Sequence, residues 1–353
     1  MAKSEQKPKR RRFGFHRWLI ILLIVVNVLL VRAYTPILPH IQVPAENVAG
    51  PFSIPLLGEL YLTNTLVATF IGALLLILMA FSVRRGLKKD GMILTGIAGL
   101  IEVVLEALYN LTESTAGKHA RRIFPWVATI VLVVLLANWL ELLPGVDSIG
   151  WLHELPAEEH GYASETLFKI GNFPVSTIVA DAVETDGDHG ESAQYGVIPF
   201  VRVASTDLNF TVAIALVSVL ATQVIGVRAQ GMGYFKKFIN FGGSVKMWVR
   251  EKLGPFDIMM PLLDIFVGLL EGVAEFAKIL SFSFRLFGNI FAGSVLLFVL
   301  GSMIPVFLQS AIGLFELFVG VIQALVFGML TMVFMTMATQ SHDEHEGEGA
   351  SAH

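Results

Sequence analysis

The sequence contains no cysteine, and charged residues are scarce in it. Only 15% of its 353 residues are Asp, Glu, Lys or Arg, whereas soluble proteins carry about 25%. The absence of cysteine excludes a disulfide framework, thiol catalysis and Cys-ligated zinc or iron–sulfur centres. A formal net charge of −4 gives no support for binding to nucleic acid. The shortage of charge, set against 54% hydrophobic residues, predicts a surface that largely faces lipid.

Long hydrophobic runs are the main feature that the sequence does have. A helix needs about 20 apolar residues to cross a bilayer. Charge-free runs of about that length or more lie at 60–83, 123–140, 208–227, 286–315 and 317–340. Pro305 predicts a break between the last two helices, because proline interrupts a helix. The pattern is typical of an all-α integral membrane protein with about five to six membrane helices, of which the last two are long.

The N-terminal apolar block, 18–31, has two interpretations. It follows a basic stretch, and its 14 residues suit the core of a signal peptide. A short extra membrane helix is the competing interpretation, and we favour it because Arg32 fits poorly at a cleavage site. Residues 1–33 are therefore treated as one segment, a basic N-terminus with an extra membrane helix or a signal-like segment.

Basic residues predict the topology, because Lys and Arg accumulate on the cytoplasmic side of membrane proteins. Three segments rich in them, 1–17, 84–122 and 228–252, are predicted to lie inside. The loop 145–206 carries ten acidic residues against one lysine and one arginine, and is predicted to lie outside. Alternation through six spans then leaves the acidic tail inside.

Two connecting segments are less clearly defined. Residues 92–111 are apolar apart from Glu102 and Glu106 on one helical face, which favours a helix lying at the inner interface. The acidic loop is either an ordered insertion, with Trp151, Tyr162 and Tyr195 packed inside it, or a loose cap. The predicted organisation has five parts: 1–33, the first core spans with the inner interfacial helix at 34–144, the acidic outer loop at 145–206, ion-translocating helices at 207–340, and the acidic tail at 341–353.

Polar residues form stripes on the last two helices. Four charged residues on the first of them are spaced by seven, so they share one helical face: Asp264, Glu271, Lys278 and Arg285. The spacing of seven recurs on the last helix at Gln309, Glu316 and Gln323. A charge within the membrane costs roughly 2.5–3.5 kcal/mol and normally faces protein or water.

The two basic residues of the first stripe differ in their options for pairing. Lys278 lies within reach of Glu275 or Glu271, and such an ion pair is as consistent with a purely structural role as with a functional one. Arg285 has no acid within one turn, so its partner carboxylate is expected elsewhere, such as on another chain. The residues alone thus predict an ion-translocating membrane protein with Arg285 as its fixed charge.

Several motifs resemble those of one known family, subunit a of F-type ATP synthases. The segment 281–293, SFSFRLFGNIFAG, resembles that family's Arg-Leu-Phe-Gly-Asn-x-x-Ala-Gly signature. Three further matches follow the family's order: NWLELLP at 138–144, DLN at 207–209 and QALVF beginning at Gln323. The resemblance covers roughly residues 50–341, without the N-terminal block and most of the acidic loop.

The resemblance implies roles for individual residues in proton translocation. Arg285 would face each carboxylate of a rotating c-subunit ring; because arginine stays protonated, it would lower that carboxylate's pKa and block direct leakage between two half-channels. Glu316 would relay protons in the outer half-channel. The remaining residues implied on the last two helices are Gln323 near the arginine, Asn289 lining the path, Glu271 and Lys278 as further polar positions, and Ser281 near the inner exit.

The outer half-channel has three further candidate residues. Glu141, Asp207 and Asn209 are candidates, and the alternative for Glu141 and Asp207 is a cap at the membrane interface. Ser294 departs from the family pattern, because many relatives carry Glu or His five residues after Asn289. The outer path is therefore expected to depend more on water or on Glu141 and Asp207.

The resemblance also implies an assembly. The last two helices would be tilted and packed as a hairpin against the c-ring. Further partners would be the b subunits of the peripheral stalk, the soluble catalytic head and the lipid bilayer. The chain itself would be non-catalytic, without cofactor or metal, in a bacterial inner membrane with its C-terminus in the cytoplasm.

Two rival functions come from other classes. A secondary transporter could use the charged stripe for an anionic substrate, but no internal repeat is visible. An intramembrane enzyme lacks support, because the histidines show no HExxH-type spacing and the sequence has no P-loop.

Overall fold

The computed structural model describes residues 15–33, 43–55, 58–89, 96–155, 161–170, 173–179, 194–238, 255–304 and 307–340. Seven α-helices dominate these residues: α1 Phe15–Ala33, α2 Asn64–Lys89, α3 Ile97–Ala116, α4 Ala120–Trp139, α5 Leu208–Gln230, α6 Pro255–Met303 and α7 Phe307–Thr339. Seven short strands lie between them: β1 Asn47–Ile54, β2 Gly58–Thr63, β3 Pro144–Asp147, β4 Gly150–Glu154, β5 Ala163–Ile170, β6 Phe173–Val179 and β7 Tyr195–Pro199. The acidic tail at 341–353 lies outside the described residues.

Five helical segments among the described residues are long and apolar enough to span a membrane: Asn64–Leu87, Ala98–Leu142, Leu208–Gln230, Ile265–Met303 and Leu308–Thr339. Arg17–Leu30 in α1 is a shorter apolar helix. The prediction of an all-α membrane protein with about five to six membrane helices is thereby confirmed. The strands were not predicted, and they lie outside the five spans.

The chain divides into two compact units. The larger consists of Ile41–Trp151, Ile198–Ser294 and Glu316–His353. Its hydrophobic core is built from helices α3 to α7, with Ile123, Val134, Leu286 and Met335 at most 1% exposed. Gly117, with φ of 50°, turns the chain between α3 and α4, and α3 folds back so that the rings of Tyr109 and Phe124 meet edge to face at 5.2 Å.

The smaller unit consists of Met1–His40, Leu152–Val197 and Val295–Phe315. Its β5 and β6 pair antiparallel from Ala163 opposite Val179 to Ile170 opposite Phe173, with a shift of register between Thr166 and Phe168. Tyr162 and Tyr195 form an isolated bridge and are half-buried. The described part of the outer loop thus contains ordered strands.

Trp151, which one of the two interpretations of the outer loop packed inside it, belongs to the larger unit and is 56% exposed. Its ring meets that of Phe200 edge to face at 5.1 Å. The interpretation that packs Trp151 inside the loop is therefore wrong for this residue, because its ring contact with Phe200 leaves most of the side chain uncovered.

The last two helices separate where the sequence predicted a break. Helix α6 ends at Met303 and α7 begins at Phe307, on either side of Pro305, which itself lies outside the described residues. Within the larger unit the two helices pack antiparallel: Phe282 contacts Phe327 with ring centroids 5.0 Å apart, and Gly293 lies against Glu316. The predicted helical hairpin is therefore present.

Candidate functional site

Helix α6 has two distinct faces around its arginine. Phe282, Leu286 and Ile290 recur every four residues and are at most 3% exposed, so they form the ridge that enters the core. A second set is exposed and lies on another side of the helix. We call this set the arginine face: Ser281, Arg285, Gly288, Asn289 and Ala292.

Arg285 lies on the arginine face without a hydrogen bond or ion pair to the described residues of the chain. A guanidinium in the middle of a membrane span is costly unless it faces protein or water. Apart from its chain neighbours and the nearby backbone of its own helix, no atom of the described residues lies within 4 Å of the position where a side chain on Gly288 would begin, and small residues allow a neighbouring helix to approach closely. This face therefore suits contact with a helix of another chain.

The register of α6 against α7 places Arg285 at nearly the same height as Gln323. Phe282 contacts Phe327, and Gly293 contacts Glu316. The two contacts are separated by the same number of residues on α6 and on α7, in opposite chain directions. In this register Arg285 is level with Ala324, which neighbours Gln323 in the sequence. Gln323 is half-buried. The structure thus brings these two predicted residues to one height in the hairpin.

A cluster of buried polar groups lies closer to the loop between α6 and α7. We call it the carboxylate cluster, and it consists of Glu141, Ser294 and Glu316, which are 8%, 8% and 3% exposed. Ser294 lies against the Glu141 carboxylate, and Glu316 lies within electrostatic range of it. Three segments distant in sequence, the end of α4 and the facing parts of α6 and α7, therefore bring their polar side chains together.

Gly293 makes room for this cluster. An added Cβ there would collide with the carboxylate of Glu316. The absence of a side chain at 293 is thus the reason that Glu316 can lie between the two helices.

The carboxylates of the cluster have unsatisfied hydrogen-bonding capacity. Among the described residues, no hydrogen-bond partner reaches either carboxylate oxygen of Glu141 or Oε1 of Glu316. Ser294 faces Glu141, but its hydroxyl donates to the carbonyl of Ile290 at 3.1 Å. A buried oxygen without a partner is costly unless it is protonated or reached by water. The arrangement is therefore suited to accepting and releasing protons.

Hydrogen bonds fix the end of α4 beside α7 and thereby position Glu141. The Asn138 amide donates to the carbonyl of Gly320 at 3.2 Å, and the Trp139 indole N–H donates to the carbonyl of Leu317 at 3.2 Å. Ser205 donates to the Asn138 side chain at 2.7 Å. Sequence reasoning did not single out Ser205, because nothing near it in the sequence indicates a partner 67 residues away.

Asp207 and Asn209 do not lie in the carboxylate cluster as the structure describes it. Asp207 is the N-cap of α5: its side chain accepts from the backbone N–H of Asn209 at 2.9 Å and from the Thr65 hydroxyl at 2.7 Å. The Asn209 side chain is exposed. The alternative of a capping role for Asp207 is thus present in the structure, while a part in the proton path stays a prediction.

Lys278 forms its ion pair with Glu275, at 2.8 Å, and its ammonium lies 4.6 Å from the centre of the Phe334 ring. Glu271, the other candidate partner, is half-buried and has other interactions. The pair joins α6 to α7 through Phe334, which is the structural role that sequence analysis left open. A role of Lys278 in translocation stays a prediction.

Comparison with known proteins places these features in a family. The family model described as ATP synthase A chain matches residues 66–336. Among similar proteins is the ATP synthase subunit a of Gloeobacter violaceus, 27% identical over 283 residues that cover 80% of this chain and 86% of the relative. The subunit a of Mycobacterium bovis is 26% identical over 298 residues, or 82% of this chain and 92% of the relative. Because the family model covers well over half of the sequence and includes Arg285 and the carboxylate cluster, this chain belongs to the ATP synthase A chain family.

Proposed function

We propose that the chain is the proton-channel subunit of a membrane-bound ATP synthase, with Arg285 as its fixed positive charge and the carboxylate cluster as part of its outer half-channel. The observation that carries this proposal is the pairing of an exposed arginine in the middle of a predicted span with a separate buried carboxylate cluster, to which the same helix hairpin contributes Ser294 and Glu316. Family membership favours this function over a secondary transporter of an anionic substrate.

The spacing on α6 supports two offset half-channels. Ser294 follows Arg285 by nine residues, which is about 13 Å along a helix. Lys278 and Glu271 precede Arg285 on the other side. Protons that enter by the carboxylate cluster would reach a carrier beside Arg285, and they would leave towards Ser281. Because arginine keeps its proton, it separates the two halves without relaying protons itself.

The partner of the arginine face is proposed to be a c-subunit ring whose carboxylates pass Arg285 in turn. An opposite charge within about 4–6 Å favours the ionised form of a carboxylate, so passage of Arg285 promotes proton release. Further proposed partners are the b subunits and the catalytic head. The chain itself is proposed to be non-catalytic and multi-pass in a bacterial inner membrane, with its C-terminus in the cytoplasm.

Arg285→Ala tests this function in inverted vesicles that contain the whole complex. ATP-driven acidification of the vesicle interior should be abolished, because the ring carboxylates lose the charge that promotes their deprotonation. The matched control is Arg84→Ala, which removes an exposed arginine at the end of α2, away from the arginine face. Acidification by this control should match that of the wild type.

Assembly must be verified for the same vesicles by blotting for the ring and the catalytic head. Loss of acidification with an intact complex supports the proposal. Acidification that persists unchanged in Arg285→Ala vesicles would refute the proposed function and would favour a secondary transporter instead.

A further inference from the structure

A cavity of about 430 Å³ lies at the end of the membrane helices opposite the carboxylate cluster. Its walls come from the first turns of α4, the last turns of α5 and the last residue of α7. The residues that define its chemistry are His119, Arg122, Trp126, Ile225, Arg228 and Thr339. All of them belong to the larger unit.

The charge of this cavity is positive. Arg122 and Arg228 come from different helices, and both side chains are exposed. Among the residues that the structure describes, no carboxylate lies within ion-pair distance of either guanidinium. Arginine binds phosphate through two parallel hydrogen bonds, so two arginines from neighbouring helices form a suitable clamp for a phosphate group.

The cavity also has an apolar side. Ile225 is buried and Trp126 is 39% exposed. Tryptophan concentrates where membrane meets water, with its ring at the level of the lipid headgroups. A wall that combines arginine with tryptophan and isoleucine matches a ligand with an anionic head and an apolar tail.

Side-chain contacts hold the walls of the cavity together. Gln230 donates from its amide to the carbonyl of Ala338 at 3.0 Å and also to that of Gln340, which joins the end of α5 to the end of α7. The Tyr234 ring packs on Gly226. These contacts fix the walls of the cavity, so binding would need little reorganisation.

We propose that this cavity binds the phosphate headgroup of an anionic phospholipid in the membrane leaflet on this side. His119 and Arg122 belong to the basic segment 84–122 and Arg228 to the basic segment 228–252, so the predicted topology assigns the cavity to the inner leaflet. Basic pockets between membrane helices on the cytoplasmic side are the type of site that binds acidic headgroups. The site is separate from the proton path, so it does not depend on the proposed function.

Native mass spectrometry of the full chain in detergent tests the proposal. Phosphatidylglycerol is compared with phosphatidylcholine carrying the same acyl chains. The wild type should retain one phosphatidylglycerol more tightly than phosphatidylcholine. The double substitution Arg122→Gln with Arg228→Gln should weaken phosphatidylglycerol binding by about thirtyfold. Each of the two arginines is expected to contribute a similar share of this loss in affinity.

Two further variants make the result specific. Arg84→Gln with Arg121→Gln removes the same charge from exposed arginines that do not line the cavity, and its binding should match that of the wild type. Arg122→Lys with Arg228→Lys keeps the charge but not the paired hydrogen bonds, so it should bind more weakly than the wild type and better than the Gln pair. Far-UV circular dichroism should show equal helicity for all variants.

Three outcomes would overturn the proposal. Equal retention of phosphatidylcholine would show that the headgroup charge is not recognised, and an equal loss in the control pair would show only a general charge effect. Displacement of the lipid by millimolar inorganic phosphate would assign the cavity to a free anion instead.

Discussion

At the residue scale, Glu316 has the most closely defined surroundings. It is 3% exposed and lies where a side chain on Gly293 would otherwise stand. The spacing of seven put Glu316 on a polar stripe, and family resemblance suggested its role. Its proximity to Glu141 was not predictable from the sequence, because it depends on how the end of α4 meets two helices that are far away in the chain.

Replacing Glu316 by Gln should lower passive proton conduction by about a hundredfold or more, because an amide keeps the shape of the side chain but cannot exchange a proton at this position. The measurement is proton uptake driven by a potassium diffusion potential, in vesicles stripped of the catalytic head. Glu113→Gln, at an exposed acid of α3, is the control and should conduct normally. Normal conduction by Glu316→Gln would remove this residue from the path.

Gly293→Ala should also lower conduction, because the added methyl group displaces the Glu316 carboxylate. The matched control is Gly272→Ala in the same helix, where no atom lies within 4 Å of the new methyl group. That change should leave conduction intact and stabilise the helix by up to about 1 kcal/mol. Equal conduction by the two variants would show that the cluster tolerates displacement of Glu316.

At the scale of elements, the helices were more predictable than the strands. The membrane spans and the break near Pro305 follow from hydrophobicity and proline chemistry. Strand β3 has only four residues and follows a long helix. Its pairing depends on contacts with the chain around Val201. Such short strands lack the alternating pattern by which a sequence identifies them.

Asp147 at the end of β3 should make this local structure dependent on pH. The pKa of Asp147 is raised to about 6, mainly by burial; the Arg202 guanidinium opposes the rise, and the Glu46 carboxylate adds to it. An acid whose pKa is higher in the folded protein stabilises the fold at low pH. That contribution is about 3 kcal/mol and is lost as pH rises from about 4 to 6.

Hydrogen exchange of the amides at 144–147 and 201–203, corrected for intrinsic rates, measures this effect. Protection should fall across that pH range in the wild type and stay level in Asp147→Asn. Asparagine suits the site because residue 147 has φ of 61°, a conformation that asparagine tolerates. A protection profile that Asp147→Asn leaves unchanged would contradict the assignment.

At the scale of the whole molecule, the start of α4 and the ends of α5 and α7 meet at the cavity. The alternation predicted from basic residues assigns these three helix ends to the inner side, and that assignment stays a prediction. The sequence could predict such sidedness because charge acts during membrane insertion, without knowledge of helix packing. It could not predict the cavity, whose walls come from three separate helices.

Single cysteines test the topology, because the wild-type chain has none. In right-side-out vesicles, Ser148→Cys should react with an impermeant maleimide, and Arg84→Cys should react only after permeabilisation. Both residues are exposed. The reverse labelling pattern would invert the proposed orientation of the proton path.

The contact between Gly293 and Glu316 links the evolution of two positions. A lineage that gains a side chain at 293 loses the space for glutamate at 316, so the two changes must occur together or in a permissive order. Aspartate is one CH₂ shorter, and it is the acid that would restore room beside an alanine. Residues 293 and 316 should therefore vary as a pair, although they lie on different helices.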